Sequence, residues 1–142
     1  MVKIVLGKVM EFYKKYEEII NYLIVGLLTV GITYVSYYIF SLIFDPNNVL
    51  LLQLDNILSW VIAVIFAYFC NRKYVFKSKN KNKKKEFFSF ISSRLLTLLL
   101  DMFVMFLMVT ILLINDNFSK IVSQFLVIIV NYILSKVIVF KR

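Results

Sequence analysis

Four apolar runs follow one another along the chain, separated by short polar clusters. The first, Ile19 to Phe44, carries no charged residue for 26 positions. The second, Val49 to Cys70, carries only Asp55. The third, from about Phe87 to Ile114, contains Arg94 and Asp101, and the fourth, about 120–140, contains Lys136 beyond Lys120 at its start. Wound as a helix at about 1.5 Å per residue, the first run is roughly 39 Å long, enough to cross a ~30 Å hydrocarbon layer with some tilt. Spanning strands would need only about ten residues each and would alternate polar with apolar positions. Asp45-Pro46-Asn47-Asn48 and Asn115-Asp116-Asn117 are turn clusters, and each links two spans tightly into an antiparallel pair. The pattern predicts an all-α integral membrane protein with spans over about 19–44, 49–70, 87–114 and 120–140, and a basic loop over 71–86.

The runs also repeat. At an offset of 64, Ser59/Ser123, Tyr68/Tyr132, Arg72/Lys136, Val75/Val139, Phe76/Phe140 and Lys77/Lys141 coincide. Leu27-Leu28-Thr29 matches Leu95-Leu96-Thr97 at an offset of 68. Self-similarity at a fixed spacing reports architecture. It predicts two tandem helical hairpins in the same orientation, a parallel internal repeat, and a binding site between repeats is a common transporter arrangement. Residues 1–18 differ. Val2, Val5, Leu6, Val9, Phe12, Tyr13 and Tyr16 recur at three- and four-residue spacing among scattered charges. They predict an amphipathic cytoplasmic helix lying in the membrane interface rather than a cleavable leader.

Charge sets the orientation. Lys3, Lys8, Lys14 and Lys15 precede the first span, eight Lys or Arg lie between Arg72 and Lys85, and Lys141 and Arg142 close the chain. The two short turns hold none, with Lys120 just beyond the second. The positive-inside rule therefore puts both termini and the 71–86 loop in the cytoplasm. The net charge of +9 is first a topology signal, with attraction to anionic lipid heads as a second reading. Nucleic acid is not an expected partner, because no soluble domain presents a binding face. With 61% apolar residues, a chain of 142 residues cannot hide its apolar surface in a soluble fold.

Candidate chemistry is sparse. There is no His and one Cys, Cys70, so zinc hydrolysis, an intrachain disulfide and the usual Ser-His or Cys-His nucleophiles lack their parts. The acids are scattered, and Gly7, Gly26 and Gly31 stand apart from any phosphate-cradling loop. No enzyme, metal or cofactor is expected. What remains is a set of polar residues in costly places, and an ionisable group inside a bilayer is a functional candidate by default. Asn71, Arg72, Arg94 and Lys136 fall at the cytoplasmic level of three spans, where a lipid phosphate lies and where Arg grips phosphate with paired donors. The alternative for such cations is snorkelling to ordinary lipid heads. Asp101 is placed two turns deeper than Arg94 with Thr97 between them. It serves either as an interhelix tie or as a proton-coupling carboxylate. Asn131 either ties helices together or donates to a sugar or phosphate. Lys120, a lone outer cation, either anchors a helix end or receives a phosphate from inside.

Two stretches then resemble a known family. Ile24-Val25-Gly26 followed by Thr29 is similar to its F-x-x-V-G-x-x-x-T opening, and Ala67-Tyr68-Phe69-Cys70-Asn71-Arg72-Lys73-Tyr74-Val75-Phe76 to its F-x-x-N-R-x-W/Y-V-F signature. The Arg94 span and the closing Val139-Phe140 fit as well, while Ser135-Lys136 stands where an Asn-Arg-like pair would. The chain thus resembles the GtrA-like family, the GtrA/DPMS transmembrane domain, over residues 19–142. The resemblance implies a role in cell-surface polysaccharide or teichoic acid glycosylation, by flipping a polyprenyl-phosphate-linked sugar across the cell membrane. It carries Asn71, Arg72, Arg94, Lys120 and Asn131 as substrate-binding positions, with Gly26, Thr29, Val75 and Phe76 as motif or structural positions; Val75 and Phe76 are expected to seat the loop at the interface rather than touch substrate. Lys136 joins the substrate-binding set on the residue reading, and Thr97 and Asp101 are the path or coupling candidates. A membrane glycosyltransferase is an expected partner, and a non-transporting scaffold that recruits a polyprenyl-phosphate glycosyltransferase from the cytoplasm through Lys73–Lys85 is the alternative. A small proton-coupled exporter ranks last, because that class relies on an acid in the first span, and 19–44 has none. Four helices are few to enclose a sugar path, so a homo-oligomer is expected. The preference for Lys, Asn, Ile and Phe over Gly, Ala and Pro points to an AT-rich, bacterial source.

Overall fold

The computed structural model describes residues 1–140. Lys141 and Arg142, counted above among the cytoplasmic charges and the repeat positions, lie outside the described residues. The chain forms helices α1 (Val2–Ser41), α2 (Val49–Cys70), α3 (Lys83–Met105) and α4 (Asp116–Leu134), and there is no strand among the described residues. With the wider turns that extend three of them, four stretches are long and apolar enough to cross a membrane: Val2–Ser41, Val49–Val75, Lys83–Ile111 and Asp116–Val139.

Asparagines start the three later helices. Asn48 Oδ1 accepts from the backbone N–H of Leu50 and Leu51 at 3.0 and 3.3 Å. Asn82 Oδ1 accepts from Lys85 N at 3.1 Å, and Asn115 Oδ1 from Asn117 N and Phe118 N at 2.9 and 3.3 Å. A short polar side chain at this position satisfies donors that the first helical turn leaves open. Helix ends are more unusual. After α2, α3 and α4 the ladder widens into π-type turns, Asn71–Val75, Phe106–Ile111 and Ser135–Val139. They close through Phe76 N to Asn71 O (2.9 Å), Leu112 N to Leu107 O (3.0 Å) and Phe140 N to Ser135 O (2.8 Å). Lys77 and Leu113 then stop the first two in the left-handed region, with φ of 47° and 54°. Such residues end helices because the next N–H turns back onto the open carbonyls.

The helical ends narrow the connecting loop. The loop predicted over 71–86 is shorter in the structure: the chain stays helical to Val75 and α3 begins at Lys83, leaving 76–82 between them. The physical reason is local: a π-turn carries α2 onward, and Asn82 nucleates α3 inside the Lys run. Glu86, within that stretch, is buried rather than solvated. α4 likewise begins at Asp116, ahead of the apolar run, on its Asn115 cap.

Two compact units divide the chain, Met1–Lys77 and Ser78 onward. In the first, α1 packs along α2, and the π-turn after α2 packs back on α1. Its buried residues include Tyr22 and Val25 of α1, Ala63, Ala67 and Tyr68 of α2, and Val75 and Phe76 of the turn. The Tyr22 and Phe76 rings lie 6.4 Å apart. Small residues such as Ala63 and Ala67 let two helices approach closely, which matters where lipid removes the hydrophobic driving force for association. In the second unit α3 packs along α4, and the last π-turn packs on α3. Phe90 and Phe140 lie 5.9 Å apart.

Buried positions recur between the units. Tyr22, Val25 and Ser36 are buried, as are Phe90, Ser93 and Val104, 68 positions on. Asp55, Ser59, Asn71, Val75 and Phe76 are buried, as are Ser119, Ser123, Ser135, Val139 and Phe140, 64 positions on. The ring pair Tyr22–Phe76 thus has its counterpart in Phe90–Phe140. At the start of the chain, residues 1–16 are exposed throughout and the helix breaks at Tyr16 (φ −114°, ψ 18°). Tyr13 Oη donates to Asn21 Oδ1 across that break at 3.0 Å. Glu17 and Lys77 form an exposed ion pair at 2.9 Å, of the kind that contributes little.

Candidate functional site

The second unit concentrates its polar groups between α3 and α4. Arg94 stands one turn beyond Phe90, with its guanidinium carbon 4.4 Å from the centre of that ring. A guanidinium stacks on an aromatic face because its charge meets the negative π-cloud while its edges stay open to acceptors. One turn further, Thr97 is buried and its Oγ1 donates to Asn131 Oδ1 at 2.8 Å. That bond ties the two helices, and it leaves the Asn131 amide nitrogen as the donor side of the group.

One turn beyond Thr97, Asp101 accepts three bonds from α4. Lys120 Nζ lies 2.8 Å from Oδ2, while Ser123 Oγ and Gln124 Nε2 lie 2.5 and 3.4 Å from Oδ1. Residues 120, 123 and 124 share one helix face at this spacing. Lys120, read from the sequence as a lone outer cation, is therefore half of a salt bridge. Asp101 is its partner on the neighbouring helix. Lys136, at the far end of α4, is exposed and lies 3.4 Å from Tyr132 Oη, with its Nζ 5.6 Å from that ring.

In the first unit Asn71 opens the π-turn. Its amide nitrogen donates to Ala67 O at 2.7 Å. Among the described residues, Asn71 Oδ1 and Ser135 Oγ are the buried side-chain atoms that find no partner, and they occupy matching positions of the two turns. π-turns inside helices occur frequently at functional sites. Arg72 follows on the same turn, half-buried. Val75 and Phe76 are buried and hold the turn against α1, a packing role. Thr29 Oγ1 bonds back to Val25 O at 2.7 Å, its own helix. Gly26 is exposed, and a Cβ there would meet nothing within 4 Å, so packing inside this chain does not explain a glycine at that position. Asn71 and Arg72 thus lie in one unit, and Arg94, Thr97, Asp101, Lys120, Asn131 and Lys136 in the other. The second unit brings together Thr97 with Asn131 and Asp101 with Lys120.

Sequence reasoning passed over three residues here, Phe90, Gln124 and Glu86, and met Ser123 only as a repeat position. Glu86 is 2% exposed, and Ser78 Oγ donates to its Oε2 at 2.6 Å. It sits in the first turn of α3, where the helix dipole favours an acid. The repeat could have revealed it, since Glu18 stands 68 positions earlier, as Tyr22 does for Phe90. Replacing Glu86 by Ala removes the buried acceptor of the Ser78 hydroxyl and should cost about 1–3 kcal/mol. A thermal-unfolding series in detergent checks this, with Glu86→Gln expected to recover most of the loss.

Fold and site together define a small multi-pass, all-α membrane protein whose ionisable residues pair between helices of a hairpin. Residues 21–140 match the GtrA/DPMS transmembrane domain, and the chain belongs to that family. It is 35% identical over 139 residues to the cell wall teichoic acid glycosylation protein GtcA of Listeria monocytogenes serovar 1/2a, covering 96% of this chain and 93% of the relative. The protein of the same name from Listeria innocua serovar 6a is 36% identical over 143 residues, 99% of this chain and 96% of its own. The membrane protein YwcD of Bacillus subtilis strain 168 is 32% identical over 124 residues, 85% of this chain and 94% of its own.

Proposed function

We propose that this protein flips a polyprenyl-phosphate-linked sugar across the cytoplasmic membrane for glycosylation of a cell-surface polymer such as teichoic acid. One observation carries the reading: polar groups follow one another turn by turn along a single hairpin, from Arg94 through Thr97 and Asn131 to Asp101 and Lys120. Such a series inside an apolar helix pair is costly, and a lipid-facing role gives no return for it. Cations stand at both ends of the series, suited to a phosphate, and the amide and hydroxyl between them suit a sugar. The relatives' printed role in teichoic acid glycosylation supports the same substrate class.

In this reading the two units are tandem hairpins of a parallel repeat, supported by the recurring buried positions. Residues 1–16 lie along the cytoplasmic interface, both termini and the 76–82 loop face the cytoplasm, and each unit by itself offers groups to a phosphate on that side, Asn71 and Arg72 in the first and Arg94 and Lys136 in the second. The protein transports and does not catalyse. It works as a homo-oligomer beside a membrane glycosyltransferase that loads the lipid, in a bacterial cell membrane.

Reconstitution tests the proposal. Purified protein is placed in liposomes with a polyprenyl-phosphate-sugar, and exposure of the sugar on the opposite leaflet is followed with a membrane-impermeant probe. Protein-dependent exposure that survives neutralisation of Lys79, Lys81, Lys83 and Lys84 supports a flippase. Absence of exposure from folded, lipid-binding protein overturns it and leaves the recruiting scaffold, whose binding to a glycosyltransferase the same neutralisation would abolish.

A further inference from the structure

The donors gathered on α4 are an ammonium, a hydroxyl and a primary amide, and all three converge on one carboxylate. The same three donor types recognise a phosphate anion, since both ligands offer negatively charged oxygens at hydrogen-bonding distance. The Lys120 side chain is 52% exposed and that of Asp101 17% exposed, so the cluster opens at its Lys120 end, with Ser123 buried behind the carboxylate. The first unit sharpens the point. Ser59, the counterpart of Ser123, donates at 3.2 Å to Asp55 on its own helix, and Asn56 stands where the second unit has Lys120. Both serines hold a carboxylate, but only the second unit adds a lysine and draws the acid from the neighbouring helix.

We propose that Asp101 is a built-in stand-in for the lipid phosphate. It occupies Lys120, Ser123 and Gln124 while the site is empty and gives them up to the phosphate of the arriving lipid. The inference rests on the flippase reading above and adds to it a competition between two anions for one donor set. The exchange spares the membrane an unpaired ammonium at every stage, because one anion replaces another. It also weakens the resting site for phosphate. A site open only a tenth of the time binds about tenfold more weakly than its open form.

Equilibrium binding tests the competition without any need for transport. Wild type, Asp101→Asn, Lys120→Gln and the Ser123→Ala/Gln124→Ala pair are placed in nanodiscs of zwitterionic lipid, with folding checked by thermal unfolding. Each is titrated with polyprenyl phosphate in one arm and inorganic phosphate in the other. Asp101→Asn is expected to bind about tenfold tighter than wild type, while Lys120→Gln and the double variant bind more weakly. Tighter binding confined to the lipid arm assigns the site to a lipid headgroup, and tighter binding in both arms assigns it to the phosphate group as such. Unchanged or weaker binding by folded Asp101→Asn overturns the stand-in role. Should Asp101→Asn fail to fold, Asp101→Ser carries the same expectation. If wild type binds polyprenyl phosphate but Asp101→Asn gains nothing, only this inference fails. If no folded variant binds it, the flippase reading fails too.

Discussion

Arg94→Ala will reduce outward exposure of the lipid-linked sugar by about ten- to a hundredfold, the range expected for losing a hydrogen bond to a charged group. The argument rests on placement. Arg94 sits near the start of α3 with its planar head over the Phe90 ring at 4.4 Å, which fixes the fork's direction while leaving its donors available. Arg94→Lys keeps the charge but not the fork or the stacking, so it should recover only part of the loss. Flipping rates in liposomes for the three proteins check this. Equal rates for arginine, lysine and alanine would remove Arg94 from the substrate path.

Phe90→Ala should be nearly as damaging although it changes no charge. Phe90 is wholly buried and carries two contacts at once, the Phe140 ring at 5.9 Å and the Arg94 guanidinium. Losing the ring frees Arg94 and loosens the last turn of the chain from α3. Phe→Ala in a packed core costs about 3–5 kcal/mol. The double variant Phe90→Ala/Arg94→Ala should flip no more slowly than the worse single one, because both changes remove the same element. Additive losses would mean that Phe90 acts apart from Arg94. Phe90→Tyr, with a ring of the same outline, should restore most of the rate.

The sequence made the helices legible because lipid imposes a severe rule: a spanning segment must be long, apolar and internally hydrogen-bonded. All four long helices follow from that rule, and so do the Asn48 and Asn115 turns. Helix ends were less legible. A composition shift such as the Lys run at 79–85 reports where water begins, not where the backbone stops coiling, so α3 starts inside it. Glu86 vanished into the same run, since one acid among lysines reads as a solvated charge. The pairing of Asp101 with Lys120 was hidden for another reason. It depends on the register between α3 and α4, which the path through residues 112–115 sets, and no spacing within either helix encodes it. Thr97 with Asn131 needed the same register. By contrast, the motif marks Asn71, Val75 and Phe76 and makes Val75 and Phe76 structural positions, while the helix they pack on, α1, is not encoded in it.

The wide turns at Asn71–Val75 and Ser135–Val139 have a consequence for how this chain tolerates change in length. Each contains one residue more than an ordinary α-helical turn would use to reach its closing phenylalanine. Removing any one of Arg72, Lys73 or Tyr74 would let the turn tighten to an ordinary α-turn, with the closing phenylalanine still bonded to Asn71 O and still on the same side of the helix. Its ring would stay against Tyr22, and Lys77 would stay within reach of Glu17. The wide turn thus absorbs a single deletion, whereas the same deletion in the body of α2 would rotate everything beyond it by about 100°. Each wide turn is a store of one spare residue, placed just ahead of the ring that seals its unit.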